Sequence, residues 1–182
     1  MTDTVADNIT VRRLGATDAA ACVPALADVL IDCVDGGASV SFMLPMTVEK
    51  AIRFWTMVAE GVARGERALL VAADSEGQIL GTVQLVLALP ENQPHRADVA
   101  KMLVHRRARR RGIAQRLMEA VETTAREEGR TLLVLDAVTD GDAARLYARA
   151  GWQRVGDIPN YALMPNGAPC ATTYFYKAIE PG

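Results

Sequence analysis

The densest charge in the chain lies in the stretch RRARRRGIAQRL (106–117), which places five arginines in six positions and then becomes an apolar-periodic helix. A helix that directly follows a strand leaves its first backbone N–H groups unpaired, and the partial positive charge there favours an anion. Gly112 and Ala114 keep the side chains small where a phosphate must approach the backbone. The pattern therefore predicts a diphosphate at this helix N-terminus. The basic side chains expected around it are Arg109, Arg110 and Arg111.

Other anionic ligands fit this stretch less well. Neither GxxxxGK[ST] nor GxGxxG occurs here, so a nucleotide triphosphate or a dinucleotide is not expected. The net charge of −2 and the pI of about 5.7 disfavour nucleic acid as a partner, because nucleic-acid readers usually carry a basic face or a high pI. A solvated basic helix entrance is the alternative that the arginines alone leave open.

The elements that must position these residues can be placed from periodicity and from turn signals. The first strand is NITVRRL, and helices follow over TDAAACVPALADVLIDCVDGG and TVEKAIRFWTMVAEGVARG. A hairpin of RALLVAAD with QILGTVQLVLAL precedes the strand RADVAKMLVH. After the helix that starts at Gly112 come the strand TLLVLDAV, the short helix DGDAARLYARAG and a closing strand pair. TLLVLDAV is nearly all apolar, which predicts a strand buried on both faces.

Length and composition predict one α/β domain over residues 1–182. Cys22, Cys33 and Cys170 show neither disulfide nor zinc spacing, so we expect no metal. The opening MTDTVADNIT is polar and acidic, and no uncharged run approaches the roughly 18 to 20 residues that cross a bilayer. We therefore expect a cytoplasmic protein with no membrane partner. His95 and His105 are interpreted as structural rather than catalytic.

Two motifs resemble those of a known family. Arg109 to Ala114 is similar to the [R/Q]-x-x-G-x-[G/A] pyrophosphate loop of the GNAT acyltransferases, and AARLYARAGW (143–152) is similar to their A-x-x-L-Y-x-x-x-G-[F/W] motif. The resemblance implies a single GNAT fold of the α/β (α+β) class, with a mixed sheet of about seven strands, a splayed strand pair and about four helices. It also implies acetyl-coenzyme A (acetyl-CoA) as cosubstrate.

The resemblance assigns the coenzyme to backbone groups. Backbone N–H groups from Arg110 to Ala114 would hold the pyrophosphate, and Arg106 and Arg107 would reach toward the ribose phosphate. The pantetheine arm would lie beside one strand, where the N–H of Leu103 or Val104 would polarise the thioester carbonyl. The full set of expected coenzyme residues is Met102, Leu103, Val104, Arg109, Arg110, Arg111, Gly112, Ile113, Ala114 and Asp140.

Three residues are candidates for proton transfer. Asp98 stands where many GNAT members carry a glutamate, and Asp136 ends an apolar strand, where partial desolvation makes a carboxylate more basic. Either aspartate could instead cap a loop or pair with an arginine. Tyr147 matches the tyrosine that many members use as an acid for the coenzyme thiolate, although a core position is the alternative reading.

The acceptor is the least determined part of the prediction. The pocket is expected to involve Ser39, Phe42, Met43, Gln84, Tyr161 and Tyr174. The segments GGASVSFM, NQPHRADVAKMLV and TTYFYK resemble acetyltransferases of tabtoxin resistance, which implies the amine of a small β-lactam amino acid as acceptor. Acetylation of a protein N-terminus or lysine, and a non-catalytic acyl-CoA-binding domain, remain as alternatives. A homodimer is left open.

Overall fold

The computed structural model describes residues 8–180, and within them one sheet of seven strands is flanked by five α-helices. The strands are β1 (Thr10–Arg13), β2 (Arg67–Ala73), β3 (Ile79–Val86), β4 (Arg96–Val104), β5 (Leu132–Val138), β6 (Gln153–Leu163) and β7 (Pro169–Ala178). The helices are α1 (Ala16–Ala21), α2 (Val23–Asp35), α3 (Val48–Ala63), α4 (Ile113–Glu127) and α5 (Asp142–Arg149). This mixed α/β architecture confirms the predicted fold class.

The sheet has the strand order β1-β2-β3-β4-β5-β7-β6, and all neighbours are antiparallel except the parallel pair β4–β5. Side chains alternate between the two faces of a sheet, so each face builds its own core. One core packs α4 and α5 against the sheet, with Leu117, Val121 and Phe175 among its members. The other packs α1, α2 and α3 around the fully buried Trp55.

The first predicted helix is two helices. It breaks at Cys22, and Pro24 lies in the first turn of α2. A proline has no N–H to donate to the carbonyl four residues earlier, and its ring crowds that carbonyl, so a continuous helix is unfavourable. The break explains why five helices are found where about four were expected.

The prediction that β5 is buried on both faces is wrong. Leu133 and Leu135 are buried, whereas Val134 and Val138 are only partly buried and Asp136 is exposed. The physical reason is that helices α1–α3 cover only part of one face of the sheet. Their core contacts on that face come from β2, β3 and β4 and not from β5. The other half of this face is left open beside Asp136.

No helix within residues 8–180 has both the length and the apolar character that a membrane crossing requires.

Candidate active site

The central feature of the site is a strand pair that separates. β4 pairs with β5 only over Arg96–Asp98 and Leu132–Val134, although both strands continue for several residues beyond that point. The last part of β4 therefore has backbone groups that no neighbouring strand satisfies on the β5 side. An unpaired strand edge accepts an extended ligand, because its N–H and C=O groups are already aligned.

The orientation of β4 distinguishes between the two residues proposed to polarise the thioester carbonyl. The Leu103 carbonyl lies against Gly81 of β3, and the next residue but one, His105, donates its N–H to the Leu80 carbonyl. Backbone groups of successive residues alternate sides along a strand, so Val104 faces the opposite edge, toward β5. In agreement, the Val104 carbonyl accepts from Cys33 Sγ (3.6 Å) and Arg109 Nε (3.4 Å) rather than from β3.

The N-terminus of α4 has the backbone geometry of an anion site. Gly112 is its N-cap with φ +71°, and Arg110 also has a positive φ of +63°. Alternating right- and left-handed residues turn successive N–H groups toward one point, which forms a concave anion nest. The N–H groups of Gly112, Ile113 and Ala114 have no acceptor in residues 8–180. This helix end is therefore ready to bind a phosphate group.

Two of the five clustered arginines have another role. Arg106 binds Asp32 of α2 through its backbone N–H (2.8 Å) and its guanidinium group, and Arg107 approaches Asp28 at 3.8 Å. Although burial alone raises the pKa of Asp32, the hydrogen bonds from Arg106 lower that pKa below its ordinary value. That Arg106 and Arg107 also reach a ribose phosphate stays a prediction. They attach the β4–α4 connection to α2.

A cavity of about 330 Å³ opens beside β5. Its walls come from the loop between α2 and α3, from β5 and from the β6–β7 hairpin. The loop is held to the hairpin by hydrogen bonds from Ser39 Oγ to the Leu163 carbonyl (3.0 Å) and from the Leu44 N–H to the Pro165 carbonyl (3.0 Å). The lining residues are Ser39, Ser41, Phe42, Met43, Asp136, Ala137, Val138, Tyr161, Ala162, Leu163 and Thr172.

The two candidate bases differ in their partners. Asp98 forms an ion pair with Arg96, which also donates to Gln93 Oε1 at 2.8 Å. Asp136 lines the cavity, and no side chain in residues 8–180 donates a hydrogen bond to it. Loss of solvation raises the pKa of Asp136; the Lys101 charge opposes this and the Asp98 charge adds to it. Asp136 is therefore the stronger candidate for accepting a proton.

Tyr147 is buried on the other side of the sheet. Its ring contacts Phe175 (centroids 5.9 Å apart) and Trp152 (6.0 Å). Burial and the Asp136 charge raise the pKa of Tyr147 far above its ordinary value, so the phenol stays protonated and keeps a proton to donate in a hydrogen bond. Asp140, with φ +59°, lies in the turn before α5 and accepts from Arg145 through its carbonyl (2.8 Å).

The remaining predicted acceptor residues separate into two positions. Tyr161 lines the cavity, and its hydroxyl is 2.6 Å from that of Tyr174, which lies opposite Asp136 in the β5–β7 register. This hydrogen bond, with smaller contributions from burial, raises the pKa of Tyr174 to about 12. Gln84 is not one of the residues that line the cavity. It is fully buried, and its Oε1 accepts from Arg67 Nη1 (2.9 Å).

Sequence reasoning missed Lys101. This residue sits in β4, and its Nζ donates to Ser41 Oγ (3.0 Å) at the edge of the cavity. The available signal was a single cation inside the apolar run VAKMLV. Within the described part of the chain, no group of three His, Cys, Asp or Glu side chains is placed to hold a metal ion.

Comparison with known proteins identifies the family. A model of the acetyltransferase (GNAT) family matches residues 41–152, and the chain therefore belongs to this family. An uncharacterized N-acetyltransferase from the hisH-hisA intergenic region of Azospirillum brasilense is 34% identical over 113 residues, which cover 61% of this chain and 65% of that relative. The chain thus matches slightly less than two thirds of that relative's length.

Solved structures show the same fold. An N-acetyltransferase from Staphylococcus aureus Mu50 superimposes with a TM-score of 0.77 at 17% identity, over 95% of this chain and 99% of the other. A putative acetyltransferase from Salmonella typhimurium, solved with its cofactor acetyl-CoA, gives 0.76 at 15% identity, over 96% of each chain. At these identities the likeness concerns the fold alone. The predicted membership of the GNAT family is confirmed by the family model that matches residues 41–152.

Proposed function

We propose that this protein is an acetyl-CoA-dependent N-acetyltransferase that modifies the amine of a small molecule. The observation that carries the proposal is the continuous arrangement of three parts: the α4 anion nest, the unpaired edge of β4 and the cavity that contains Asp136. Together they would accommodate a ligand with a diphosphate, an extended arm and a reactive end next to an amine.

The residues present fit acetyl-CoA, which supplies an acetyl group activated as a thioester. The N–H groups of Gly112, Ile113 and Ala114, which lack acceptors within residues 8–180, would hold the pyrophosphate, with Arg109 and Arg110 adding charge. The Val104 N–H would stabilise the negative charge that develops on the acetyl oxygen. Met102 lies on the same edge of β4 by alternation and would bond the pantetheine arm.

Direct transfer needs one proton acceptor and one donor. Asp136 would remove the proton from the attacking amine, either directly or through a water molecule, as a carbon–nitrogen bond forms and the carbon–sulfur bond breaks. Tyr147 would donate a hydrogen bond to the departing thiolate, because its phenol stays protonated. Asp98 is a weaker candidate for the base, since its carboxylate is already paired with Arg96.

The cavity favours a small acceptor over a polypeptide. The loop that carries Ser39 and Leu44 is bonded to the β6–β7 hairpin, so the acceptor region is walled on two sides rather than being an open groove. A volume of about 330 Å³ suits an amino-acid-sized molecule. A tabtoxin-like β-lactam amino acid belongs to this size class and is the specific substrate that the sequence resemblance supports.

Acetyl-CoA binding tests the proposal first. Gly112→Asp places a negative side chain in the anion nest, and we expect calorimetry to show micromolar binding by the wild type and at least a hundredfold weaker binding by this variant. Gly129→Asp is a matched control, because Gly129 follows the other end of α4, also has a positive φ (+68°) and also has open space around its Cβ position. It should bind normally.

Turnover separates an enzyme from a binding domain. A panel of amino acids, their amides and simple amines is assayed for release of free coenzyme thiol in the presence of acetyl-CoA. Acetylation of at least one small amine, with no acetylation of peptide N-termini or lysines, is the expected result. Coenzyme binding without turnover of any amine would favour a regulatory acyl-CoA-binding domain, and absent binding would refute the proposal altogether.

A further inference from the structure

Lys101 lies at an irregular point of β4. Thr82 pairs with Leu103 and Gln84 with Ala100, so Lys101 and Met102 together lie opposite a single residue of β3. Lys101 has φ +52°, a conformation that costs a side-chain-bearing residue energy. Such a bulge re-aims a side chain, and bulges are frequent beside active sites. This bulge directs the Lys101 ammonium group toward the acceptor side of the sheet.

The positive charge of the Lys101 ammonium group has few partners for a partly buried position. It donates to one neutral hydroxyl, Ser41 Oγ (3.0 Å), and lies 5.7 Å from the centre of the Phe54 ring. An ammonium group has three donors, and no carboxylate in residues 8–180 lies within 4 Å of it. Burial lowers the pKa of Lys101 against the opposing effect of Asp136, because removal from water disfavours the charged form.

The groups around Lys101 also include positive charge and hydrogen-bond donors without matching anionic partners. Arg67 contributes a second cation to this face of the sheet, and its electrostatic effect further lowers the pKa of Lys101. Arg67 donates to a neutral partner, Gln84 Oε1, and the Gln84 Nε2 is buried with no acceptor among the described residues. Asp98 is already paired with Arg96. Within residues 8–180, this region thus combines two cations, an unbonded amide donor and a carboxylate, Asp136, that receives no side-chain hydrogen bond.

The acceptor region contains two groups of opposite charge. Asp136 is negative and lines the cavity, whereas Lys101 is positive and reaches the same cavity edge through Ser41. Removing a charge from part of its water without a counter-charge costs free energy, and a bound ligand of opposite charge relieves that cost. A molecule without charge could hydrogen-bond to these groups but would offset neither charge. A molecule with an ammonium group and an oxyanion separated by a short distance would satisfy both.

We propose that Lys101 determines acceptor specificity by binding an oxyanion, namely the carboxylate of an amino-acid-like substrate, while Asp136 faces its amine. The inference rests on the proposed acetyltransferase function and names the acceptor class and the residue that selects it. Lys101 is a substrate-binding residue here, not the base.

The test compares matched acceptors in matched variants. Amino acids and their primary amides, which differ only in the carboxylate, are assayed with the wild type, Lys101→Met and Lys101→Arg. We expect the wild type to prefer the acids, and Lys101→Met to lower kcat/KM for the acids by roughly ten- to hundredfold through KM, with little change for the amides. Lys101→Arg should retain part of the preference. Arg53→Met removes an exposed cation from α3 and serves as the control.

Binding is measured as well as turnover, so that the two proposals can fail separately. Each acid and amide is titrated into protein saturated with coenzyme A. Acid binding that disappears in Lys101→Met supports the inference even if turnover is slow. Turnover of acids and amides at equal rates, or an equal loss of both in Lys101→Met, overturns it while leaving the acetyltransferase proposal intact. Acetyl-CoA binding that survives in every variant shows that the fold is preserved.

An acceptor oxyanion other than a carboxylate gives a different pattern. Aminoalkylphosphonates are included because a phosphonate presents the same charge with more oxygens. Preference for the phosphonate over the matched carboxylate, lost in Lys101→Met, retains Lys101 as the anion-binding residue but refutes the carboxylate. Failure of every acid and phosphonate to bind the coenzyme-saturated wild type refutes the inference as a whole.

Discussion

Glu122 and Asp136 are both carboxylates that lie next to the sheet, but they differ in their hydrogen-bond partners. Glu122 of α4 accepts from Lys177 Nζ at 2.8 and 2.9 Å and from Trp152 Nε1 at 3.2 Å, on the α4–α5 face. Asp136 faces the open side and receives no side-chain hydrogen bond in the described part of the chain. A carboxylate whose oxygens are all bonded holds elements together. A carboxylate left without donors in a partly desolvated place remains free to take a proton.

Asp136→Asn should cause the largest change in activity. An amide cannot accept the proton from the amine, and positioned general-base catalysis is worth about 10² to 10⁴ in rate, so kcat should fall by that factor. Acetyl-CoA affinity should remain within about twofold, because the coenzyme is held at α4 and β4. Asp142→Asn, at a fully solvated side chain, is the control. A wild-type rate in Asp136→Asn would transfer the role of base to Asp98 or to water.

Glu122→Gln should cause the largest change in stability. Removing one partner from a buried ion pair leaves the other charge uncompensated, and such losses amount to about 3 kcal/mol in the free energy of unfolding. Lys177 would keep only the Ala150 carbonyl (2.8 Å) as a strong acceptor. Urea denaturation measures the loss, and Glu127→Gln on the exposed face of the same helix is the control.

A double variant sharpens this result. Because Glu122→Gln and Lys177→Met disrupt the same interaction, their combined cost should be smaller than the sum of the two single costs. The rate per folded molecule should stay near that of the wild type. A strong loss of rate without a loss of stability would mean that Glu122 also acts in catalysis, and the contrast with Asp136 would no longer hold.

The sequence predicted best what depends on local pattern. Strand and helix types follow from periodicity, and Gly112 marks the start of α4 because a positive φ suits glycine. The partners of charged groups depend instead on chain segments far apart. Arg106 appeared free for a ligand, but Asp32 lies 74 residues away and binds it. No local pattern contains that contact.

The surroundings of Asp136 and Lys101 also could not be predicted from local sequence alone. An apolar run such as that of β5 predicts burial, but which face is covered depends on where α1–α3 pack, and that is a tertiary property. The bulge that re-aims Lys101 has no recognisable sequence signal, because it contains no glycine. The candidate base could be predicted since a strand-end aspartate is locally visible. The role of Lys101, the group of opposite charge, could not be predicted in this way.

Tyr147→Phe should have a moderate effect. The ring packs against Phe175 and Trp152, and the substitution keeps that packing while it removes the hydroxyl. A single hydrogen bond to the departing thiolate is worth about 1 to 1.5 kcal/mol, so kcat should fall roughly tenfold. Tyr176→Phe, which removes a hydroxyl bonded to Gln153, is the control. An unchanged kcat would restrict Tyr147 to the core.

The smallest expected effect is on thermal stability, where Asp136→Asn and Glu122→Gln should change the Tm in opposite directions. The pKa of Asp136 is raised in the folded protein, so the folded state holds this proton more tightly than the unfolded chain does. Below the ordinary aspartate value of 3.8 the group is neutral in both states, and its contribution to stability is lost as the pH rises through the folded-state pKa. Asp136→Asn, which cannot ionise, should therefore gain in Tm relative to the wild type between about pH 4 and neutrality, whereas Glu122→Gln should lose. Thermal unfolding at pH 4, 6 and 8 measures both, and a Tm for Asp136→Asn that falls below the wild type with rising pH would show that Asp136 is a structural carboxylate like Glu122.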